Sequence, residues 1–140
     1  MAFWASSEAY RHADSCVDRA RRIVEPLLNS LLAKSSLANL DCKLRHVPIV
    51  MPESMHARYP ARSKLRRKAR IYDCAPILNY DIFVHGAFED QLREYVRGIA
   101  LAAPHLAGLG ASPEQIEDFK AILASVIERV IAERPDQTRR

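Results

Sequence analysis

Prolines constrain this chain more than any other feature, because a proline inside a helix removes a backbone hydrogen bond and clashes with the preceding turn. Eight prolines occur in 140 residues. Four of them fall within residues 48–76, which predicts short strands and loops there rather than helices. We therefore expect the main helices to lie on either side of that segment.

The first predicted helix covers residues 7–34. Its apolar residues, continuing through Leu27 and Leu31, recur at three- and four-residue steps, which is typical of a helix with one buried face. Pro26 lies inside this stripe, so either the helix kinks there or a second helix begins at Pro26. The stripe keeps its phase across the proline, which favours a single kinked helix.

A second apolar stripe predicts a helix that begins at Phe83 or Phe88 and ends near Ala103, one residue before Pro104. Gly98 lies in the middle of this helix, where glycine costs about 1 kcal/mol relative to alanine unless close packing compensates. We therefore expect another backbone to approach the helix closely at Gly98.

The last predicted helix has an explicit start. Ser112 offers a capping hydroxyl, Pro113 suits the first helical position, and Gln115 completes a capping box. An apolar stripe that includes Phe119 follows, and Pro135 marks the expected end. These residues predict a long helix that packs Phe119 in the core.

Two short apolar segments, Leu44–Val50 and Ile71–Ala75, predict strands. Together they suggest a two-stranded β-hairpin, which needs to pack on the helices because a lone ribbon is marginally stable. The predicted fold is mainly α (α+β), with three or four amphipathic helices and this small hairpin. Its length fits a single domain covering residues 1–140.

Cellular location is predicted from what the sequence lacks. We find neither a stretch of about 20 apolar residues that could cross a bilayer nor a signal-peptide pattern at the N-terminus. The three cysteines are odd in number and widely spaced, as in a reduced compartment. We expect a cytoplasmic protein.

The sequence contains no recognisable catalytic motif and only an incomplete set of possible zinc ligands. The sequence has no glycine-rich phosphate loop and no nucleophile elbow, which predicts a non-enzymatic protein without a cofactor. Cys42 and His46 have a plausible zinc-ligand spacing, and Cys74 or His85 could complete a site. Structural zinc sites usually contain two close pairs of ligands, and a second pair is missing here. The favoured interpretation is no metal, with two buried thiols and a surface histidine.

Charge is distributed unevenly along the chain. Residues 1–70 contain 14 Lys/Arg against 6 Asp/Glu, whereas residues 71–140 contain 7 against 11. The basic run 62–70 suggests an alternative function as a small nucleic-acid-binding or regulatory protein. This run lacks interleaved aromatic residues for base stacking, so nucleic acid is the less favoured partner.

Residues 71–123 contain a series of short segments with a family likeness: 72–76, 80–83, 91–95, 98–99, 103–106, 109–110, 115–116 and Phe119. As a block they resemble bacterial immunity proteins that accompany polymorphic toxins, including those of contact-dependent growth inhibition systems. The resemblance covers about the second half of the chain.

This resemblance implies a cytosolic protein that binds and neutralises a cognate toxin. Such toxins are C-terminal domains of large secreted proteins and are often nucleases that act on tRNA. Nuclease inhibitors are commonly acidic, whereas this chain carries a net charge of +4. Either the acidic half binds the toxin, or the toxin is held away from its active site.

A candidate partner-binding strip follows from the acidic half. Tyrosine provides large contact area at small entropic cost, and an acidic strip complements a basic nuclease. The candidate residues are Tyr72, Asp73, Tyr80, Asp81, Glu89, Asp90 and Glu94. The competing interpretation is that both tyrosines are edges of the core and that Arg93 and Arg97 neutralise the acids.

Overall fold

A computed structural model describes residues 1–5, 14–58 and 62–133. The strands are β1 (Ala2–Ala5), β2 (Lys43–His46), β3 (Ile49–Met51), β4 (Lys64–Arg66), β5 (Ile71–Cys74) and β6 (Ile77–Asn79). The α-helices are α1 (Asp14–Ala33), α2 (Tyr80–His85), α3 (Phe88–Ala100) and α4 (Pro113–Glu133). Short 3₁₀ helices cover Glu53–Arg58 and Ala103–Leu109. No helix within the described ranges is both long and apolar enough to cross a membrane.

The main sheet has the strand order β1-β2-β5-β4. Strands β1, β2 and β5 are parallel, and β4 pairs antiparallel with β5 at the edge. Helix α1 connects β1 to β2, which is the crossover that adjacent parallel strands require. Helices α1, α3 and α4 pack on one another, and the core fills the space between them and the sheet.

Two prolines at matching positions divide a longer parallel ladder. The pairing of β2 with β5 and that of β3 with β6 have the same register, which places Pro48 opposite Pro76. Backbone hydrogen bonds continue on both sides, from Val47 N–H to the Cys74 carbonyl and from Ile49 N–H to the Pro76 carbonyl. Because proline has no N–H to donate, the ladder is interrupted and β3-β6 forms a separate two-stranded sheet.

The predicted fold, mainly α with a two-stranded hairpin, is therefore wrong in its β part. The chain is α+β, but the segments predicted as hairpin strands run parallel and belong to two sheets. Apolar alternation reveals which face of a strand is buried and leaves its pairing direction open. The prediction also lacked β1, whose four residues are too few for a periodic signal.

Helix α1 contains Pro26 in its interior, so the prediction of one helix through Pro26 is confirmed. Its predicted start at Ser7 lies outside the described residues. Beyond the proline, Leu28 and Leu32 are fully buried, whereas Leu27 and Leu31 are half-buried. The buried face therefore lies one position further along than the sequence stripe indicated.

Helix α3 brings Gly98 against the strands. A Cβ atom at this position would lie 2.8 Å from the Leu78 side chain, 2.9 Å from the Pro76 ring and 3.3 Å from His46 Nε2. The predicted close packing is present, but side chains rather than a backbone make the approach. The contact lets α3 lie directly on the ladder interruption at Pro76.

The capping box of α4 is confirmed. Gln115 N–H donates to the Ser112 hydroxyl at 3.1 Å, and Ser112 N–H donates to Gln115 Oε1 at 2.8 Å. Phe119 is fully buried in the core, as predicted. The predicted stop at Pro135 lies beyond the last described residue of this helix.

Candidate functional site

A groove between α2 and α3 brings together part of the predicted strip. It has a volume of 650 Å³, and its lining includes Asp81 and His85 of α2 with Asp90, Arg93, Glu94 and Arg97 of α3. Three of the seven candidate residues thus share one concave surface, here called the α2–α3 groove. Asp81 and Asp90 are exposed, whereas Glu94 is buried.

Local contacts explain why α2 and α3 enclose a groove. The Asn79 side chain caps α2 by accepting a hydrogen bond from Asp81 N–H at 3.0 Å. The buried Gln91 side chain donates to the carbonyl groups of Phe83 at 3.2 Å and Gly86 at 3.1 Å. Arg19 of α1 donates to Gln91 Oε1 at 2.9 Å. Gln91 therefore fixes the turn between the two helices, a role that the sequence analysis missed.

Glu94 and Arg97 form an ion pair at the floor of the groove. The Nε and Nη2 atoms of Arg97 each lie 2.7 Å from a different carboxylate oxygen of Glu94. Asn79 N–H also donates to Glu94, at 2.9 Å. Burial alone would raise the pKa of Glu94, but the hydrogen bonds from Arg97 and Asn79 outweigh it and hold the pKa below its ordinary value. Glu94 is thus a charged residue held in place within the fold.

The other four candidates are distributed around the molecule. Tyr72 is buried on the core side of β5, where its ring stacks on His105 with centroids 4.7 Å apart. Asp73 points to the opposite side of the same strand. Tyr80 is half-buried against the core, and Glu89 pairs with Arg93 at 2.9 Å. The structure therefore does not unite the seven residues in one surface.

The outer side of the main sheet presents a second candidate site, here called the basic face. Its members are Trp4 of β1, Lys43 and Arg45 of β2, Asp73 of β5, and Lys64 and Arg66 of β4. Arg45 Nε and Arg66 Nε each lie 2.8 Å from a different oxygen of Asp73. Asp73 is thus enclosed by arginines rather than presented as an acidic contact.

The candidate zinc ligands do not converge. Among the residues that the structure covers, no group of three His, Cys, Asp or Glu side chains is placed to hold a metal ion. Cys42 and Cys74 are free buried thiols, and burial raises the pKa of Cys74 to about 12. His46 is fully buried in the core instead of exposed, and His85 lies exposed on α2.

His46 belongs to a buried polar pair that the sequence analysis did not identify. Its ring contacts Tyr95 edge-on, with centroids 5.0 Å apart. Neither His46 nitrogen nor the Tyr95 hydroxyl has a hydrogen-bond partner among the described residues. Burial lowers the pKa of His46 to about 3, so the ring is neutral at physiological pH.

Comparison with protein-family models, curated proteins and solved structures found no match.

Proposed function

We propose that this chain is a non-enzymatic immunity protein that binds and neutralises a cognate toxin of contact-dependent growth inhibition type. The proposed partner is the C-terminal nuclease domain of a large secreted protein, with tRNA as its substrate class. The proposed place of action is the cytoplasm. The support for this function is the resemblance over residues 71–123, which in the fold supply α2, α3 and half of α4.

One observation carries the proposal: the α2–α3 groove is built within the segment that has the family resemblance. Its volume of 650 Å³ is in the range of small-ligand clefts, so a few side chains of a partner protein would fill it. The floor formed by Glu94 and Arg97 is already paired and needs little rearrangement on binding. The open shape of the groove leaves its lining side chains accessible to a partner protein.

The exposed carboxylates of the groove set its complementarity. Asp81 and Asp90 belong to its lining, and within the described part of the chain neither forms an ion pair, whereas Arg93 and Arg97 of the same lining are each paired with a glutamate. A basic nuclease surface would be attracted to these charges, mainly increasing the association rate. Glu94 is excluded from this role because Arg97 already neutralises it. The strip predicted from sequence is thereby reduced to Asp81 and Asp90 around a structural Glu94.

Affinity capture followed by toxicity measurement tests the proposal. The parent chain is used to capture binding proteins from the producing strain, and each captured protein is identified by mass. Its C-terminal domain is then expressed in cells with and without this chain. We expect that domain alone to arrest growth, and co-expression of the parent chain to restore it. Restoration should not extend to unrelated toxins, because specificity depends on matched contacts.

The variant Asp81→Lys with Asp90→Lys locates the interface. With the captured toxin domain, we expect slower association and a flatter salt dependence than for the parent. The matched control, Glu128→Lys with Glu133→Lys, makes the same charge change at exposed positions of α4 and should leave association unchanged. Equal effects of the two variants would remove the groove from the proposal. A non-toxic partner, or hydrolysis of a substrate by this chain itself, would contradict the function.

A further inference from the structure

We propose that the basic face binds single-stranded nucleic acid, with its cations on the phosphates and Trp4 stacked on a base. This inference does not depend on the toxin-neutralising function, since the basic face and the α2–α3 groove share no residue. It revises the sequence expectation, which considered the basic run 62–70 as the nucleic-acid contact and found no interleaved aromatic residues in that run.

The charge of the basic face comes from two strands that are distant in sequence. Lys43 and Arg45 of β2 and Lys64 and Arg66 of β4 supply four cations, against the single carboxylate of Asp73. Lys43 and Lys64 are exposed, and the arginine side chains are 40% and 50% exposed although both contact Asp73. The face therefore keeps a positive excess toward solvent.

Edge protection does not account for this arrangement. Charged residues on an edge strand prevent unwanted pairing with other chains, which would explain Lys64 and Arg66 of β4. Strand β2, however, lies between β1 and β5 inside the sheet. Lys43 and Arg45 therefore have no edge to protect. Arg45 pairs with Asp73 and the Lys43 Nζ atom lies 5.9 Å from the centre of the Trp4 ring, so both cations are held on the same face as those of β4.

Asp73 organises the centre of the face. Its two oxygens hold Arg45 and Arg66 from opposite sides, so both guanidinium groups are fixed before any ligand arrives. Beside them the surface forms a cavity of 210 Å³, whose lining also includes Arg62 and Lys64. Fixed guanidinium groups and one lysine around a small cavity favour a phosphate oxygen as ligand.

Trp4 distinguishes a nucleic acid from other polyanions. It is half-exposed at the β1 end of the row that continues through Arg45 and Asp73 to Lys64. Three strand spacings separate the ends of this row, roughly 14 Å, which spans a few nucleotides of an extended strand. An aromatic ring on an open sheet stacks with unpaired bases, whereas bases within a duplex are not accessible to it.

Trp4 also provides the measurement, because it is the only tryptophan in the chain. We would titrate the full chain with oligouridylate and oligodeoxythymidylate of about eight nucleotides, following tryptophan fluorescence and the anisotropy of a labelled oligonucleotide. Stacking should quench the fluorescence in parallel with the anisotropy increase. The RNA and DNA arms determine which sugar is preferred.

The variant Lys43→Ala with Lys64→Ala tests the phosphate contacts. Each contact to a single strand contributes about fivefold in affinity at 0.1 M salt, so we expect a loss of about 25-fold and a salt-dependence slope shallower by about 1.4. The control Lys34→Ala with Arg129→Ala removes two cations beside a different cavity and should change affinity less than about twofold. Trp4→Phe should retain more affinity than Trp4→Leu.

Several outcomes would overturn the proposal. They are undetectable binding of either oligonucleotide, equal losses for the two double variants, or anisotropy changes without quenching of Trp4. Polyglutamate that binds as tightly as the oligonucleotides would also overturn it, in favour of an acidic protein segment as the occupant. The double-alanine variants change only surface side chains, so circular dichroism should show the parent fold and keep the comparison valid.

Discussion

The α2–α3 groove and the basic face each contain one buried carboxylate held by arginine, yet the groove presents exposed acids beside its arginines, whereas the basic face presents an excess of cations. The side chains of Glu94 and Asp73 are both 9% exposed. Around Glu94 the exposed acids Asp81 and Asp90 remain, whereas the surroundings of Asp73 are cationic. In both surfaces the buried carboxylate has a structural role, because it holds arginine side chains in place. The exposed charges around it determine which partners the surface can attract.

This difference also corrects how the sequence is interpreted. Tyr72 and Asp73 are adjacent in the chain, but strand alternation places them on opposite sides of the sheet. Glu94 follows Asp90 at helical spacing, but only Glu94 is close enough to Asn79 and Arg97 to be fixed. Residues that are close in sequence therefore have different surroundings in the fold. For this reason the seven candidate residues do not form one exposed partner-binding strip.

The largest expected effect tests the core that supports both surfaces. Phe119→Ala should lower the free energy of unfolding by about 3–5 kcal/mol, because a fully buried ring leaves a cavity between helices. The control Lys120→Ala removes an exposed side chain that pairs with the exposed Glu117, and should cost about 0.5 kcal/mol or less. Denaturant melts measure both. A loss under about 1 kcal/mol for Phe119→Ala would mean that the ring is not packed as described.

The next largest effect is a pH dependence of stability caused by His46, which lies on the inner side of the sheet beneath the basic face. His46 binds a proton in the unfolded chain near its ordinary pKa, whereas burial lowers its folded pKa to about 3. The unfolded state therefore binds more protons between these values, and stability should fall by about 2 kcal/mol from about pH 7.5 to about pH 5.

Denaturant melts of the parent and of His46→Leu across this pH range check the assignment. The leucine variant should lose much less stability on acidification, and at pH 7.5 it should be at least as stable because no unpaired ring nitrogen remains buried. If the two proteins lose stability equally, the pH dependence arises from other groups.

The smallest expected effect is the loss of stability when either buried carboxylate, Glu94 or Asp73, is replaced by its amide. Glu94→Gln and Asp73→Asn should each lower the free energy of unfolding by about 1–2 kcal/mol. This is less than for a fully buried ion pair, because solvent around the half-exposed arginines screens the interaction. Glu94→Gln should cost more, since Glu94 also accepts a bond from the Asn79 backbone. Denaturant melts at neutral pH measure both losses, and a larger loss for Asp73→Asn would reverse the comparison.

The pH dependence of stability provides a second test for Glu94. The pKa of Glu94 is depressed in the folded protein, so its contribution is complete above the unfolded pKa and is lost as pH falls through the lower folded pKa. The difference in stability between the parent and Glu94→Gln should therefore shrink in that acidic range. A constant difference would show that the Glu94 charge is not what stabilises the groove.

Local features of the fold were predictable, and long-range pairing was not. The capping box of Ser112 and Gln115 was identified because its atoms lie within four residues of one another. The pairing of β1 with β2 joins Trp4 to Arg45 across the whole of α1, and nothing in a four-residue strand specifies that partner. The basic face was missed for this reason, since its aromatic residue and half of its cations lie outside the run 62–70.

The paired prolines also divide the ladder into parts that can open separately. With the hydrogen bonding interrupted at Pro48 and Pro76, the three-residue strands β3 and β6 form a short cooperative unit of their own. Asn79 ends β6 and caps α2, so local opening of this unit would release the start of the groove wall. Strands β2 and β5 would stay paired meanwhile, and amide protons near the groove should exchange with solvent before those beneath the basic face.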